Sequence, residues 1–144
     1  RPGIGMYGGR PYEGARPAIA LSLPVIQARV VAPGEPVGYS CAWTAEQPSL
    51  IATVSGGYAD GLLRTLSNTA LLWDGDTPCP LIGRVSMDLI TVDITHLGYV
   101  PRSLDIIGEH QGIDALADIA GTIGYEILTG LSPRYTRRYL EGAV

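Results

Sequence analysis

Short apolar runs separated by turn-forming residues limit the fold of this sequence more than any other feature. The clearest turn is Asp74-Gly75-Asp76, because Asp-Gly favours the positive φ angles that a tight hairpin requires. Strands this short and this closely spaced favour a closed or nearly closed β structure. The sequence therefore predicts a mainly β fold, a small closed or partly closed β-barrel-like domain with one or two short helices. The predicted short strands are residues 70–73, 81–85, 89–94 and 104–107.

Two longer stretches precede these strands. Residues 18–31 form an apolar run interrupted by Pro24, which predicts a strand that either bends at the proline or lies at a sheet edge. Residues 37–64 predict two strands joined by a turn at residues 46–49.

Each strand predicted within residues 37–64 carries a tyrosine beside a glycine. Tyr39 lies near the start of the first strand, Tyr58 lies at the end of the second, and Arg64 follows a turn signal. Glycine beside an aromatic residue at a strand end lets a ligand approach closely and leaves the phenol free to face it. Two phenols and a guanidinium placed in this way suit an anionic small molecule. The alternative is a barrel rim with ordinary core tyrosines.

The last third of the sequence contains one clear helix. It covers residues 114–120, with Asp114 as the predicted N-cap and Gly121 as the residue that ends it. Residues 134–139 alternate in character and are rich in arginine, which predicts a solvated edge strand whose charges discourage pairing with other strands. The alternative is a segment that attracts anions.

Two further segments could bind anions through backbone groups. Residues 1–11 are dense in Gly and Pro, which excludes a regular helix or a central strand. Successive glycines near an arginine can present N–H groups to a phosphate, although a linker has the same composition. Residues 83–88 lead a strand into a Ser-Met-Asp turn, where N–H groups and Arg84 could bind a carboxylate. The alternative is a hairpin turn with Met87 as core filler.

Composition argues against several classes of function. A net charge of −4 without a basic stripe argues against nucleic acid as a partner. No run approaches 18 apolar residues, so we expect no membrane span. Cys41 and Cys79 form no ligand-like spacing with His96 and His110, so we expect no metal site and two free thiols in a cytoplasmic protein.

The basic residues are all arginines, ten in number. The chain therefore supplies no lysine amine for chemistry such as a Schiff base to an aldehyde cofactor. Because the first residue is Arg1 rather than Met, we expect this sequence to be part of a longer protein.

Several motifs, taken together and in order, resemble those of alanine racemase. The Gly-Tyr-Ala-Asp-Gly and Gly-Arg-Val-Ser-Met-Asp motifs in tandem are specific to that family. The resemblance covers essentially the whole chain but only the carboxyl-terminal part of the enzyme. The matching segments are residues 1–4, 6–8, 38–39, 57–61, 83–88 and 121–126.

The resemblance implies a longer architecture. The family has a PLP-binding (β/α)₈ barrel followed by a mostly β domain, and it works as a head-to-tail homodimer. Residues 1–13 would then be the end of the preceding PLP-barrel domain and a linker, and residues 14–144 the C-terminal β domain. The lysine that binds the cofactor would lie on the barrel, outside this sequence. Alanine, the protein's own barrel and a second subunit would be its partners, with neither nucleic acid nor a membrane involved.

The resemblance also implies roles for individual positions. Tyr39 matches the catalytic tyrosine, which reaches the active site of the partner subunit. The positions that match cofactor-binding residues are Arg1, Gly3, Ile4 and Tyr125, and those that match substrate-binding residues are Met87, Tyr58, Arg64 and Arg84.

Within that set, each match carries a specific contact. Arg1 matches the arginine that hydrogen-bonds the pyridine nitrogen of PLP. Gly3 and Ile4 match backbone donors to its phosphate, and Tyr125 matches a tyrosine on the same phosphate. Met87 matches the residue whose N–H meets the substrate carboxylate, while the remaining three line the access path.

The implied reaction interconverts L- and D-alanine and provides D-alanine for peptidoglycan. One base would serve each face of the amino acid, with lysine on one face and Tyr39 on the other. A free phenol has a pKa near 10, so its anion needs cations, which the family's barrel supplies. Without a lysine the isolated chain is expected to be inactive.

Two positions depart from the family pattern. Ser40 stands where glycine is more usual, and Ser86 stands where many members have cysteine. Two alternatives stay open from sequence: a PLP racemase for serine or a broader range of amino acids, and a non-catalytic β-barrel module that mediates assembly.

Overall fold

The structure is a computed structural model that describes residues 3–12 and 14–140. It contains eight strands and two α-helices, and six of the strands form a closed barrel. The strands are β1 (Leu21–Val31), β2 (Pro36–Val37), β3 (Trp43–Thr44), β4 (Ser49–Ser55), β5 (Leu71–Asp74), β6 (Thr77–Ile82), β7 (Leu89–Asp93) and β8 (Ser103–Ile107), and the helices are α1 (Ile113–Ala120) and α2 (Gly124–Gly130).

The barrel strands are antiparallel and follow the order β1-β4-β7-β6-β5-β8, with β8 returning to β1. The four short strands predicted from sequence are confirmed as β5 to β8, with bounds that differ by at most four residues at either end. The predicted Asp-Gly hairpin joins β5 to β6, where Asp74 pairs with Thr77. The mainly β, closed-barrel prediction with one or two short helices is therefore confirmed.

Strand β1 closes the barrel by pairing on both sides. Its first residues pair with β8, up to Pro24 opposite Ser103, and its longer second part pairs with β4. The register shifts between Val25 and Gln27, directly after the proline. A bulge of this kind bends a strand, so the predicted bend is confirmed. The edge-strand alternative is wrong because β1 has a neighbour on each side.

The barrel interior is filled by one face of each strand. On β4 and β7 the inward residues Ala52, Val54, Ile90 and Val92 are all at most 1% exposed. Both helices add their apolar faces to the same core through residues such as Leu116 and Ile127. Neither helix is long and apolar enough to cross a membrane, and the same holds for every other helix in the described part of the chain.

The helices differ in how well the sequence predicts them. α1 matches its predicted range and ends at Gly121, which adopts the left-handed conformation, but its N-cap is Gly112 rather than Asp114. α2 received no assignment from the sequence. It is short, has glycine at both ends and has no side-chain cap, so packing of Ile127 in the core is what stabilises it.

A second, smaller apolar cluster lies on the outer wall of the barrel. The hairpin of β2 and β3 packs there on residues of β1, β4 and β6, and the cluster consists of Val31, Val37, Ala45, Ile51 and Ile82 with Trp43 against it. The single strand predicted at the start of residues 37–64 is wrong. Ser40 and Cys41 have φ angles of 58° and 52°, which break the extended run into two short strands around a turn. Tyr39 therefore lies on a turn.

The edge strand predicted for residues 134–139 is also wrong. In the described structure this segment is a turn followed by irregular backbone. The barrel is already closed, so its sheet offers no free edge to extend. Tyr135 instead packs against the core, and burial raises the pKa of its phenol to about 12.

Two loops meet at one end of the barrel, where the connection from β4 to β5 packs against the loop between β6 and β7. The N–H groups of Gly56, Tyr58 and Ala59 donate to the carbonyls of Asp88, Ser86 and Met87 at 2.8, 3.0 and 3.0 Å. A Cβ on Gly57 would lie 2.3 Å from the carbonyl oxygens of Ser86 and Met87. Only glycine permits this approach.

Gly57→Ala should therefore destabilise the chain. The backbone of Gly57 is extended, so the cost is steric alone, about 1–3 kcal/mol for overpacking against backbone atoms. Gly108→Ala is the matched control, since its Cβ would meet nothing nearer than the Asp105 Cβ at 3.8 Å. Denaturant unfolding of both variants measures the difference, and equal stabilities would contradict the packing.

Both cysteines are free, as predicted, with Cys41 exposed and Cys79 buried. Burial raises the pKa of the Cys79 thiol from 9.0 to about 11, and the charges of Asp74 and Asp93 act in the same direction. The folded chain thus keeps a proton that the unfolded chain loses between these two values. Rising pH consequently favours unfolding over this range.

We expect the free energy of unfolding to be independent of this thiol below pH 9 and to fall as the pH rises from 9 towards 11. Cys79→Ala should make that fall shallower. Urea titrations at several pH values measure it, comparing slopes rather than absolute stabilities because the substitution also leaves a cavity. Identical slopes in the unaltered protein and the Cys79→Ala variant would contradict the prediction.

Candidate active site

Three of the four predicted cofactor-binding positions lie together in the structure. The Ile4 N–H donates to the Tyr125 hydroxyl oxygen at 3.2 Å. A Cβ on Gly3 would lie 2.8 Å from the same oxygen, and Gly3 has a φ of +54°. Glycine is therefore required for the backbone to approach the phenol this closely. The fourth position, Arg1, lies outside the described residues.

The segment that carries Gly3 and Ile4 is anchored to the domain. Residues Gly3–Tyr7 form one 3-10 turn, consistent with the prediction that no regular helix forms here. The Ile4 side chain is 6% exposed and belongs to the main core. A Cβ on Gly124 would lie 3.0 Å from the Ile4 Cδ1, so α2 begins directly against this side chain. Tyr125, the next residue, is thereby brought to the Ile4 N–H.

Arg10 and two aspartates of α1 hold the same segment from the other side. The Arg10 N–H donates to Asp114 Oδ2 at 2.6 Å, and its Nη2 contacts both carboxylate oxygens of Asp118 at 2.6 and 2.7 Å. Hydrogen bonding and the charge of Asp118 raise the pKa of Arg10. Sequence reasoning missed this clamp because more than 100 residues separate its two sides.

The turn that carries Tyr39 rests on the loop between β6 and β7. A Cβ on Gly38 would lie 3.4 Å from the Gly83 Cα, and a Cβ on Gly83 would lie 3.4 Å from the Gly38 Cα. Tyr39 follows Gly38 and is 67% exposed, and Arg84 follows Gly83 and is also exposed. The close approach of two glycines therefore places the Tyr39 turn beside Arg84.

Two polar side chains join the Arg64 turn to this loop. Asn68 Oδ1 accepts from the Gly83 N–H at 2.5 Å, and Ser67 Oγ accepts from the Val85 N–H at 3.0 Å. The Ser67 hydroxyl also donates to the Arg64 carbonyl at 2.5 Å. Sequence reasoning did not single out either residue. Asn68 has a φ of 59°, and Ser-Asn is a turn signal, but no pattern indicates the loop that it binds.

Tyr58 and Met87 lie on the two bonded loops described above. Both side chains are partly exposed, at 45% and 54%. The Met87 carbonyl accepts from the Ala59 N–H, whereas the Met87 N–H takes no part in these bonds. The core-filler alternative for Met87 is wrong, since more than half of the side chain is exposed.

The five predicted catalytic and substrate-binding residues thus lie on the loop of residues 83–88 or on the three segments that meet it. Exposed phenols, two exposed arginines and a backbone N–H can bind a small anion, with a carboxylate as the natural group. Among residues 3–12 and 14–140 no group of three or more His, Cys, Asp or Glu is arranged to hold a metal ion. The five residues are Tyr39, Tyr58, Arg64, Arg84 and Met87.

Known proteins resemble this chain in both sequence and structure. Alanine racemase of Cereibacter sphaeroides is 70% identical over 139 residues, which is 96% of this chain and 40% of the relative. Alanine racemase of Acidiphilium cryptum is 52% identical over 144 residues, covering 95% of this chain and 40% of that protein. The chain therefore spans about two fifths of the length of the curated relatives it matches.

Two solved structures show the same fold. Alanine racemase from Bartonella henselae, with covalently bound pyridoxal phosphate, superposes with a TM-score of 0.89 at 36% identity, covering 96% of this chain and 40% of that one. Biosynthetic alanine racemase from Pseudomonas aeruginosa also has a TM-score of 0.89, at 39% identity, covering 96% and 41%.

The sequence profile of one family matches most of the chain. That family is described as "Alanine racemase, C-terminal domain", and the match covers residues 18–139. The barrel, its two helices and the grouped Gly-Tyr and Met-Asp motifs agree with this match. The chain belongs to the family of alanine racemase C-terminal domains.

Proposed function

We propose that this chain is the carboxyl-terminal part of a PLP-dependent alanine racemase and supplies Tyr39 to the active site of a partner subunit. The observation that carries the proposal is the meeting of three segments, which bear Tyr39, Arg64 and Tyr58, on the loop that contains Met87. Within this family, such a grouping supports amino-acid racemisation better than a purely structural role.

The rest of the catalytic machinery would lie outside this sequence. The chain has no lysine, and its relatives are about two and a half times as long. Residues 1–13 would be the end of a PLP-binding barrel and a linker, and residues 14–144 the C-terminal domain of a head-to-tail homodimer. We accordingly predict that the full-length enzyme is cytoplasmic and provides D-alanine for peptidoglycan.

The residues around Tyr125 fit the phosphate of PLP. The Tyr125 hydroxyl accepts from the Ile4 N–H, which leaves the hydroxyl proton free to donate to a phosphate, and the absence of a side chain at Gly3 leaves room beside that hydroxyl. Gly3, Ile4 and Tyr125 would hold the phosphate, and Arg1 would contact the pyridine ring. When bound, PLP draws electron density from the α-carbon of an amino acid and makes its α-hydrogen acidic.

Tyr39 would accept or return that hydrogen as a proton at its phenolic oxygen. The side chain is exposed on its turn, so it is free to reach into a partner subunit. A phenol serves as a base near neutral pH only if cations stabilise its anion. Those cations would come from the barrel, which lies outside this sequence.

The substrate carboxylate would bind the N–H of Met87. Arg84 is exposed on the same loop, and Arg64 is exposed on a segment bonded to it. Both arginines would attract an anionic substrate, and Tyr58 would narrow the access path. The relatives described above are named alanine racemase, which favours alanine over serine as the substrate.

Tyr39→Phe in the full-length protein should lower kcat for L-alanine by about 100- to 10,000-fold, since it removes a general base without changing the fold. Tyr99→Phe is the matched control, because Tyr99 is an exposed tyrosine at the opposite end of the barrel, where it bonds to Asp74. Coupled-assay kinetics measure the change. A kcat that stays unchanged would favour the assembly-module alternative.

A mixing experiment within the same assay tests the contribution to the partner. Full-length Tyr39→Phe is combined with full-length protein whose barrel lysine is replaced by alanine, and the subunits are allowed to exchange. Recovery of activity in the mixture supports a tyrosine supplied across subunits, and its absence despite proven exchange argues against one. The isolated chain is the blank, and turnover by it would contradict the proposal.

Tyr125→Phe should weaken PLP binding by about tenfold, the scale of one hydrogen bond to a charged group. Equilibrium dialysis of the full-length apoprotein against PLP measures the dissociation constant, again with Tyr99→Phe as the control. Equal affinity in all three proteins would remove Tyr125 from the proposed phosphate site. Because this readout does not need turnover, it is independent of the Tyr39 result.

A further inference from the structure

Arg134 joins the two loops that carry Tyr58 and Met87. Its Nε lies 3.3 Å from Asp60 Oδ1, and its Nη1 lies 2.8 Å from Asp88 Oδ1. Asp60 is two residues after Tyr58, and Asp88 directly follows Met87. One guanidinium therefore connects both loops to the C-terminal segment.

The partner on the first loop is a buried carboxylate. Asp60 is 5% exposed, and its Oδ2 accepts from the Gly57 N–H at 3.1 Å. Its Oδ1 contacts Arg134. One carboxylate oxygen therefore binds the backbone of its own turn, and the other binds the C-terminal segment. A buried charge needs such a partner, because its desolvation is otherwise uncompensated. The hydrogen bond to Asp88 and the charge of Asp60 raise the pKa of Arg134.

The segment around Arg134 is itself fixed to the first loop. The Ser132 N–H donates to the Asp60 carbonyl at 3.2 Å, and Ser132 Oγ accepts from the Arg134 N–H at 3.1 Å. A Cβ on Gly61 would lie 2.1 Å from the Gly130 carbonyl oxygen, so the two backbones are in direct contact. The backbone of Arg134 is thus fixed, and its side chain extends to Asp88, whose side chain is half exposed.

We propose that Arg134 is a positioning residue that holds the Met87 N–H in place opposite Tyr58, and thereby sets the affinity for the substrate carboxylate. The inference rests on the proposed function, in which that N–H binds the carboxylate. Arg134 touches neither substrate nor cofactor in this scheme. It acts through Asp88, one residue from Met87, and through Asp60, which fixes the Tyr58 turn.

The test uses four variants of the full-length protein. Arg134→Met removes both contacts, Asp88→Ala removes only the outer one, and Arg134→Lys keeps a charge beside Asp60 with one nitrogen in place of two. Arg29→Met is the control. It removes the exposed ion pair between Arg29 and Glu35, which lies at the other end of the barrel.

Two readouts are measured on each variant. The first is KM and kcat for alanine, where a lost ground-state contact raises KM and leaves kcat nearly unchanged. The second is hydrogen exchange at the Tyr58 and Ala59 amides, which donate to the β6–β7 loop. We expect KM to rise about tenfold in Arg134→Met, on the scale of one bond to a charged group, with smaller rises in Asp88→Ala and Arg134→Lys.

Faster exchange at both amides, together with the KM effect and a silent control, would support the inference. Unchanged KM and exchange in Arg134→Met and Asp88→Ala would overturn it, and so would a fall in kcat at constant KM. If Arg134→Met fails to fold, the other two variants decide, since both keep a cation beside Asp60. If the unaltered protein does not act on alanine, the proposed function fails and the exchange data alone decide whether Arg134 holds the loops.

Discussion

Closure of the barrel through β1 is the constraint on which the other features of this domain depend. β1 pairs with β8 before Pro24 and with β4 after it, so a single strand completes the sheet on both sides. Closure gives every barrel strand a neighbour on each side and removes the free edges that an open sheet would have. It also brings the ends of β4, β5, β6 and β7 together, because their registers leave no freedom to shift. The loops at that end inherit their positions from the sheet.

Most contacts within the candidate site involve backbone atoms. The carbonyls of residues 83–88 accept hydrogen bonds from the Tyr58 segment, and the N–H groups of the same loop donate to Ser67 and Asn68 beside Arg64. The Tyr39 turn contacts this loop through a pair of glycines. The side chains that would take part in chemistry are exposed, whereas glycine, serine and asparagine residues near them make the contacts between the loops. The proposed active site, shared between subunits, would need this division, since its reactive groups would have to reach beyond their own domain.

The sequence predicted the strands well where turn chemistry agreed with the hydrophobic pattern, as at Asp74–Asp76. It failed where local pattern and tertiary demand differ. Residues 37–45 look like one strand, but they cross from the outer wall of the barrel to its end and turn at Ser40 and Cys41. Residues 134–139 alternate like a strand, yet the closed barrel has no edge to receive them. α2 has weak local signals and depends on the core contact of Ile127.

The candidate site residues were predicted through the family resemblance of their motifs, because the chemical types and the glycines beside them lie within short stretches of sequence. The sequence by itself thus determined the β class, turns such as that of residues 74–76, the absence of lysine and the identity of the groups available for chemistry. Only the tertiary structure decided which of them meet. Tyr125 reaches Ile4 across 121 residues, and Arg134 reaches Asp88 across 46. Such contacts depend on the closed barrel and its packed core, and no local pattern of residues encodes a distance between loops.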